Sequence, residues 1–435
     1  MNMIENGMFL QHFAAGTMVQ GTEGVSNNNT GTVTPYAAGE GLSAEMKTYY
    51  SDYLIDNAEP YLVHDLFAQK HKIPKGAKTI SFRKYDPLPK RTTPITEGVT
   101  PDGQNLRVSV VEATVAQYGG YVELTDLLLM SALDNNLCMA TKLLGAQAGR
   151  TLDTISREVL VGGTNVQYAA GEVDARYLLT GGREEGNHYM TVDAIRRAVR
   201  SLKNQNAEKI NGSYVAIIHP DVAYDLMNDP NWKYPHQYAD TTAIYEGEIG
   251  KIEGVRFVES TEAKIVHAED LWAGKSRTMK VVSDVSGDLI VPAAAEDGTM
   301  LVDGTIKNRW VLLNGKRYYV RGSASGCLGL FDDPSGVSSA KGSAQKGDII
   351  YPGEAGVEGR DVYITLIFGE NAYGTVTLSD GGLEHIVKQL GSAGSSDPLN
   401  QRATVGWKAN KVTARLVEAF MLRVETTSTF QSGDN

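Results

Sequence analysis

Two short segments of this 435-residue chain resemble motifs that bind phosphate or carry a nucleophile, and each lacks a required residue. Ala273–Arg277 reads AGKSR, like the end of a phosphate-binding loop, but the first glycine of such a loop would fall at Glu269. Gly322–Gly326 reads GSASG and places Ala324 where a hydrolase needs its nucleophilic serine. Neither segment therefore predicts catalysis.

Residues that commonly bind metals or form disulfides are scattered along the chain. The eight histidines include no pair at the spacing of zinc ligands, and Cys138 and Cys327 stand alone and far apart. Acidic pairs such as Asp332-Asp333 lie in polar segments typical of solvated loops. We interpret His219 as the end of a strand rather than a catalytic base. The sequence predicts no enzyme and no catalytic, metal-binding or cofactor-binding residues.

Composition excludes several classes of protein. A net charge of -11 and a pI of about 5.3 do not fit a general nucleic-acid binder. No Lys or Arg precedes Lys47, so the positive region of a secretory signal is missing. No apolar run reaches the ~18 residues of a membrane-spanning helix. Two isolated cysteines agree with folding in a reducing cytoplasm.

The longest predicted element is a helix that begins after Asp134, a good N-cap. Its apolar residues recur every three or four positions, at Leu137, Ala140, Leu144, Ala148, Ile155 and Val159. The Gly162-Gly163 pair predicts that the helix ends there in a left-handed backbone conformation. The helix would hold roughly 28 residues and be about 42 Å long. Gly145 and Gly149 lie on one face, where either a neighbouring subunit's hairpin or a segment of the same subunit could approach closely.

A predicted β-hairpin precedes this helix. Lys78–Tyr85 and Leu106–Val115 alternate apolar and polar residues, as strands do. Between them, Asp86–Asn105 is a proline-rich connector, and a link of roughly 20 residues inside a compact domain usually has a function. Because a lone two-stranded hairpin is marginally stable in water, we expect this one to lie on a neighbouring copy of the chain.

The remaining chain divides by composition and pattern. Residues 1–43 have too few bulky residues to form a core and predict an arm. Thr191 is expected to cap a helix, followed by a buried strand at YVAIIHP and a helix at DVAYDLMN. Asn314-Gly315 between apolar runs predicts a tight hairpin in a β-rich insertion at 271–353, or at an elaborated edge of the preceding domain. LEHIVKQLG could be a strand or a helical turn, and LVEAFMLRVETT should be a strand returning to the long helix.

The chain resembles one branch of the major capsid proteins of tailed bacteriophages, with the Hong Kong ninety-seven type of fold. The resemblance covers most of 44–424 and thins at 271–353. It is carried by the ordered segments MKTYYSDYLIDNAEP, KTISFRKYDPLP, TPITEGVTPDG, AQYGGYVELTD, AGRTLDTISREVLVGGTNVQYA, HPDVAYDLMNDPNW and DPLNQRATVGWK. It implies an α+β fold with an N-terminal arm (1–43), a helical segment (44–77), an extended hairpin or E-loop (78–118), a peripheral domain with the spine helix (119–164), an axial domain (165–270 and 354–401), the β-rich insertion (271–353) and C-terminal strands returning to the peripheral domain (402–435).

The same resemblance implies a structural protein that self-assembles as hexamers and pentamers into an icosahedral shell around double-stranded DNA. Implied partners are a separate scaffold protein, a portal protein, possible decoration proteins and DNA bound without sequence specificity, with assembly in the host cytoplasm and no membrane. The alternatives are a surface-array protein or an enzyme with a lid at 86–105. The residues expected at subunit interfaces are Pro87, Pro89, Lys90, Arg91, Pro94, Glu97 and Pro101 of the hairpin tip, Gly145 and Gly149, and Tyr49 and Tyr50, which could instead form a buried helix face.

Overall fold

A computed structural model describes the chain from 63 to 430, except for 74–77, 86–87, 95–96, 99, 101, 128–135, 172, 182–187, 233–249, 337, 379–381 and 393–398. Tyr49, Tyr50, Pro87, Pro101 and Asp134 lie outside the described residues, as do the predicted arm and, within the predicted helical segment, 44–62 and 74–77.

Helices and strands are mixed along the chain, which confirms the predicted α+β class. In chain order the elements are β1 (Gln69–Ile73), β2 (Thr79–Tyr85), β3 (Val108–Thr114), β4 (Ala116–Thr125), α1 (Asn136–Val161), β5 (Val166–Tyr168), α2 (Val192–Asn204), β6 (Tyr214–Ile218), α3 (Pro220–Asn228), β7 (Lys251–Ile252), β8 (Val255–Glu259), β9 (Ile265–Val266), β10 (Met279–Val281), β11 (Val285–Asp288), β12 (Ile290–Ala295), β13 (Arg309–Leu313), β14 (Lys316–Ala324), β15 (Cys327–Phe331), β16 (Lys341–Ala344), β17 (Ile349–Pro352), β18 (Val362–Phe368), β19 (Tyr373–Leu378), β20 (Glu384–Lys388), β21 (Arg402–Arg415) and β22 (Met421–Thr426).

The chain forms two compact units. The first, here called the hairpin unit, comprises 1–156 and 374–414, and the second, the barrel unit, comprises 157–373 and 415–435. The boundary between Ser156 and Arg157 falls inside α1. Each unit has its own clusters of buried apolar side chains.

The core of the hairpin unit forms between α1 and a sheet. The sheet has the order β1-β19-β21-β20, and β4 pairs with β21 in antiparallel register. Leu144, Ala148 and Leu152 recur every fourth position along α1, so they share one face, and they pack against Val405 and Trp407 of β21. The Trp407 indole Nε1 donates to Gln147 Oε1 at 3.1 Å, which satisfies the polar end of a buried ring.

The core of the barrel unit includes a mixed sheet of order β5-β22-β18-β6-β8-β7, with β9 beside β18. Thr191 caps α2 by accepting a hydrogen bond from the Ala194 amide, which confirms the predicted cap. β6 is buried along its whole length and leads into α3, as the sequence predicted. His219 is the N-cap of α3, and its Nδ1 accepts from the Asp221 amide at 3.2 Å.

The inserted segment contains a closed barrel of order β10-β12-β15-β14-β13-β17. Its core is a separate cluster that includes Met279, Val291, Val311, Val320 and Leu330. The β13–β14 hairpin pairs Leu313 with Lys316 across Asn314-Gly315, whose φ values are 50° and 73°. Both values are those of a type I′ turn, so the predicted tight hairpin is confirmed. The open choice for LEHIVKQLG is also decided, because β20 is a strand.

The prediction that the last strand returns to the long helix's sheet is wrong. β22 lies between β18 and β5 in the sheet of the barrel unit, and its Leu422 and Val424 join the core beneath α2. The strand begins at Met421, after a short 3₁₀ helix at Glu418–Phe420. The strand that pairs with β4 beside α1 is β21, and 374–401 belongs to the hairpin unit rather than to the axial domain.

The prediction for the end of α1 is also partly wrong. The helix ends at Val161, directly before Gly162-Gly163, but neither glycine has a positive φ. Arg415 Nη1 donates to Val159 O at 3.0 Å, and Arg423 Nη1 donates to Val161 O. Basic side chains that reach the last carbonyls of a helix stabilise its C-terminus. A Cβ on Gly163 would lie 2.9 Å from Glu418 Oε1, at the end of a flexible side chain.

Candidate assembly surface

The β2–β3 hairpin has two faces with different surroundings. Residues paired across an antiparallel ladder point to the same face, and Ile80 pairs with Ala113 while Phe82 pairs with Val111. Ile80 and Phe82 pack against Val115, Val376 and Val412 of the same unit. One face of the hairpin is therefore covered within the subunit, which corrects the expectation that the hairpin lacks a second layer of its own.

The opposite face is exposed among the described residues. Tyr85 pairs with Val108 and Arg83 pairs with Val110, so their side chains share this face. Tyr85, Val108 and Val110 are 61%, 46% and 52% exposed, and Leu106 and Leu88 near the tip are at least half exposed. Scattered exposed apolar residues need no explanation, but a contiguous apolar stripe commonly marks an interaction site. We name Tyr85, Leu106, Val108 and Val110 the hairpin stripe.

The tip of the hairpin is ordered by a few contacts across the connector. The Arg91 guanidinium donates to the Asp102 carbonyl, and Gln104 Nε2 donates to Pro89 O at 3.3 Å. Gly98 turns the chain with a φ of 78°. The described interface candidates of the tip are all exposed: Pro89, Lys90, Arg91, Pro94 and Glu97. They are available to a second molecule, and their role at an interface stays a prediction.

Gly145 and Gly149 do not share this exposure. Both are buried within the subunit, on the side of α1 where Leu144 and Ala148 contact β21. A position covered by its own chain presents no surface to a neighbouring hairpin. The interface role of these two glycines stays a prediction, and their burial favours the alternative that the sequence left open, close packing inside the subunit.

A buried ion pair fixes the beginning of the described chain to this unit. Lys411 of β21 is 3% exposed, and its Nζ donates to Asp65 Oδ2 and, at 2.9 Å, to Leu152 O of α1. Asp65 Oδ1 accepts from Ser156 Oγ at 2.7 Å. Burial lowers the pKa of Lys411, although the Asp65 carboxylate acts to raise it.

Next to this pair, His64 is held by the same helix. Its amide donates to Asp153 Oδ1 at 2.7 Å, and its Nδ1 lies 2.6 Å from Asp153 Oδ2. His64 and Asp153 are both fully buried. The cluster joins the turn after 62 to α1 and β21, and it therefore anchors the segment that leads into the hairpin.

Sequence reasoning missed this cluster, and of the hairpin stripe it found only the alternation of the strands. Lys411 and Asp65 are 346 positions apart, and no local pattern connects them. The alternation at Leu106, Val108 and Val110, in contrast, is shown by the sequence directly.

The motifs that resembled active sites form turns. Lys275 of the AGKSR segment lies over the Trp272 ring at 4.5 Å, and Ser325-Gly326 turns the chain between β14 and β15. Among the described residues, no group of three or more His, Cys, Asp and Glu could hold a metal ion. No helix in the described part of the chain is long and apolar enough to cross a membrane.

Residues 109–313 match a family model described as phage capsid protein. A search of curated proteins found no match. Among solved structures, the chain is similar to the capsid of cyanophage P-SCSP1u, with 14% identity, coverage of 96% of this chain and 99% of that chain, and a TM-score of 0.48. The capsid of Ralstonia phage GP4 is 11% identical, with coverage of 95% of this chain and 100% of that chain and a TM-score of 0.49. The cyanophage Pam1 capsid is 12% identical, with coverage of 93% of this chain and 98% of that chain and a TM-score of 0.48.

Proposed function

We propose that this chain is a capsid shell protein of phages and that its copies tile an icosahedral shell around the double-stranded DNA of a tailed bacteriophage. Pentamers and hexamers would form the faces and vertices of that shell. The observation that supports assembly through the hairpin is the hairpin stripe, an apolar surface left uncovered on a strand pair whose other face is packed.

A second molecule that covers the hairpin stripe would be held there by the burial of its apolar side chains. Removing apolar surface from water contributes about 25 cal/mol per Å², so a docked hairpin would contribute a few kcal/mol to each contact. Every subunit in a shell makes several such contacts at once, so contacts that are individually weak add up to a stable shell. In this proposal the occupant is the surface of an adjacent subunit, and the exposed tip residues Lys90, Arg91 and Glu97 give the contact its register.

The proposal extends to other components of the particle. A separate scaffold protein would guide assembly, a portal protein would occupy one vertex, and decoration proteins could bind the outer surface. The chain's acidic balance, with a net charge of -11, suits a wall that should not bind packed DNA tightly. Assembly would take place in the host cytoplasm. The chain would work by assembly rather than by catalysis, and 86–105 would be an interface rather than the lid of an enzyme.

Assembly of the purified full-length protein tests the proposal. We expect sedimentation velocity to show capsomers or larger particles as concentration rises, and negative-stain images to show rings, sheets or shells. The experiment should be repeated with the protein co-expressed with proteins encoded beside it, since a scaffold could be required. A compact monomer at every concentration in both preparations would refute the proposed function.

A variant of the hairpin stripe tests the surface itself. Val108→Ser with Val110→Ser removes apolar area from side chains that are already half exposed, so the melting temperature of the subunit should change little. Shell formation should be strongly reduced. The matched control is Val302→Ser, which changes an equally exposed valine outside the hairpin. Normal shells from the double variant would remove the stripe from the mechanism.

Shortening the tip is an independent test. Replacing 86–105 by Asn-Gly leaves a four-residue loop between Tyr85 and its partner Val108, a length that still allows the β2–β3 ladder from Thr79 to Tyr85. We expect a folded subunit with a nearly unchanged melting temperature and defective shells. Complete shells of normal stability would show that the tip is dispensable.

A further inference from the structure

His219 lies at the junction between β6 and α3 in the barrel unit, where a buried strand leads directly into a helix. β6 ends at Ile218, and α3 begins at Pro220. The side chain of His219 is 15% exposed, so its ring is largely removed from water. Histidine is the side chain whose charge changes most readily between about pH 5 and pH 8. At this junction, a change of pH can therefore act on the fold itself.

The N-cap of α3 requires a neutral imidazole. The Asp221 amide can only donate a hydrogen bond, and it donates to His219 Nδ1 at 3.2 Å. Nδ1 must therefore offer a lone pair, which it does only in the neutral ring with the proton on Nε2. In the imidazolium both ring nitrogens are donors, so protonation of His219 and this cap exclude each other. The more common capping side chains, Ser, Thr, Asp and Asn, keep their acceptor oxygen in mild acid.

A positive charge on His219 is also unfavourable at this place in the fold. The N-terminus of a helix carries a partial positive charge, which repels a cation there. Burial lowers the pKa of His219, the Asp221 carboxylate acts to raise it, and the charge of His267 lowers it again. The net effect is a lowered pKa, so the neutral ring that the cap requires is the favoured form in the folded chain.

The groups around His219 come from three segments of the barrel unit. The Asp221 carboxylate is the counter-charge for a protonated ring, but its Oδ2, 3.3 Å from His219 Nδ1, already accepts from the Tyr363 hydroxyl of β18 at 2.8 Å. Burial and this hydrogen bond raise the pKa of Tyr363, so its hydroxyl stays a donor. The rings of Tyr363 and His219 are 5.2 Å apart. His267, in the segment after β9, has its Nδ1 3.2 Å from Oδ1 of the buried Asp361.

We propose that His219 is a pH-sensitive switch in the barrel unit: protonation removes the N-cap of α3 and loosens the first turn of the helix, and deprotonation restores both. This turn is part of the core, because Val222 and Ala223 are fully buried in it. Loosening it therefore weakens the packing of α3 on the sheet. The inference concerns the single subunit, so it goes beyond the proposed function and holds whether or not the subunit forms shells.

The direction of the effect follows from the protons bound in each state. The pKa of His219 is lowered in the folded chain, whereas a ring exposed by opening of the turn has the ordinary value of about 6.5. As pH falls below about 6.5, the opened state binds more protons than the closed state, so acid favours opening. The loss is complete below the folded-state pKa. A difference of one proton changes the opening equilibrium by at most about tenfold per pH unit.

Hydrogen exchange of the unassembled subunit, corrected for the intrinsic effect of pH on exchange, tests the switch. In the wild type, amides in the first turn of α3 should lose protection several-fold between about pH 7.5 and about pH 5.5. His219→Asn supplies a capping oxygen that does not titrate, so its α3 should be equally protected at both values. The matched control, His71→Asn, changes a histidine of the hairpin unit and should behave like the wild type. Equal protection of wild-type α3 at both values, or the same loss in His219→Asn, would overturn the inference.

His267→Gln tests the same switch without altering the cap. The His267 side chain is 52% exposed, and glutamine retains a donor for Asp361, so this variant should fold even if His219→Asn does not. Removal of the second imidazole should raise the pKa of His219, because one of the charges that lowers it is gone. The His219 signal in NMR spectra of histidine-labelled protein should then titrate at higher pH, and the loss of protection at about pH 5.5 should be smaller. An unchanged titration midpoint together with an unchanged loss of protection would contradict the switch.

Discussion

Truncation of Lys411 should destabilise the subunit strongly, because it leaves a carboxylate without its partner. In Lys411→Ala, Asp65 keeps its hydrogen bond from Ser156 but loses the ammonium, and Leu152 O loses a donor. Breaking a buried ion pair by removing one partner costs about 3–5 kcal/mol. The side chain of Asp65 is 15% exposed, so water can partly replace the lysine. We therefore expect a loss of about 3 kcal/mol in the free energy of unfolding.

Removal of both charges should have a much smaller effect. The lowered pKa of Lys411 indicates that the pair does not fully offset the desolvation of the lysine. Lys411→Met with Asp65→Leu should therefore lie within about 1 kcal/mol of the wild type or be more stable. The matched control is Lys408→Ala on the same strand. Lys408 and Glu384, 3.1 Å apart, are 39% and 43% exposed, and loss of such a pair costs about 1 kcal/mol or less.

Urea unfolding of the unassembled subunit, followed by circular dichroism, measures these differences. The pH dependence adds a second readout, since the folded-state pKa of Lys411 lies below the ordinary lysine value of about 10.4. Between these two pKa values the unfolded chain binds more protons than the folded chain, so stability should increase as pH rises. Lys411→Met lacks this increase. Equal losses in Lys411→Ala and Lys408→Ala would refute the assignment of the cluster as the anchor of this segment.

Three further changes test the fold of the barrel unit. Gly315→Val should lower the free energy of unfolding by about 1–2 kcal/mol, because the residue has a φ of 73° with open space around it. Gly322→Ala, also in open space but without a positive φ, should cost little. Equal losses in thermal unfolding would contradict the turn assignment. Thr191→Ala should lose about 1 kcal/mol with its cap, and Thr191→Ser should retain it; equal stability of all three proteins would exclude the cap. Arg309 contacts both Asp270 O at 2.8 Å and Glu354 Oε2 at 2.7 Å, so the two ends of the insertion are close together. Replacing 271–353 by a short Gly/Ser link should therefore leave a protein that melts cooperatively. Loss of the cooperative melting transition would place the insertion in the main core.

Local signals in the sequence predicted the elements that depend on neighbouring residues. Thr191 caps α2 because its hydroxyl reaches an amide three residues away, and Asn314-Gly315 turns the chain because both residues tolerate a positive φ. The alternation of Leu106, Val108 and Val110 belongs to the same class, although it does not show which face of the hairpin is exposed. In each case the deciding interaction spans only a few positions, and a single sequence shows all of its participants.

Features that depend on distant partners could not be predicted in this way. The alternation at Leu422 and Val424 predicts a strand correctly, but a strand carries no local signal for which sheet it joins, and β22 pairs with β18 and β5 instead of the sheet beside α1. The carbonyls at the end of α1 are satisfied by Arg415 and Arg423, more than 250 positions away, so a glycine pair that often adopts a left-handed stop had no need to do so here.

The hairpin shows how one local pattern can carry both folding and assembly. Alternation sends Ile80 and Phe82 to the face that packs on Val376 and Val412, and Tyr85, Val108 and Val110 to the face that stays exposed. A one-residue slip of either strand would exchange the two faces, exposing the side chains of the core and burying Arg83. The buried face therefore fixes the register of the stripe before any second subunit binds. It follows that substitutions at Ile80 or Phe82 should impair folding and assembly together, whereas substitutions at Val108 or Val110 should impair assembly alone.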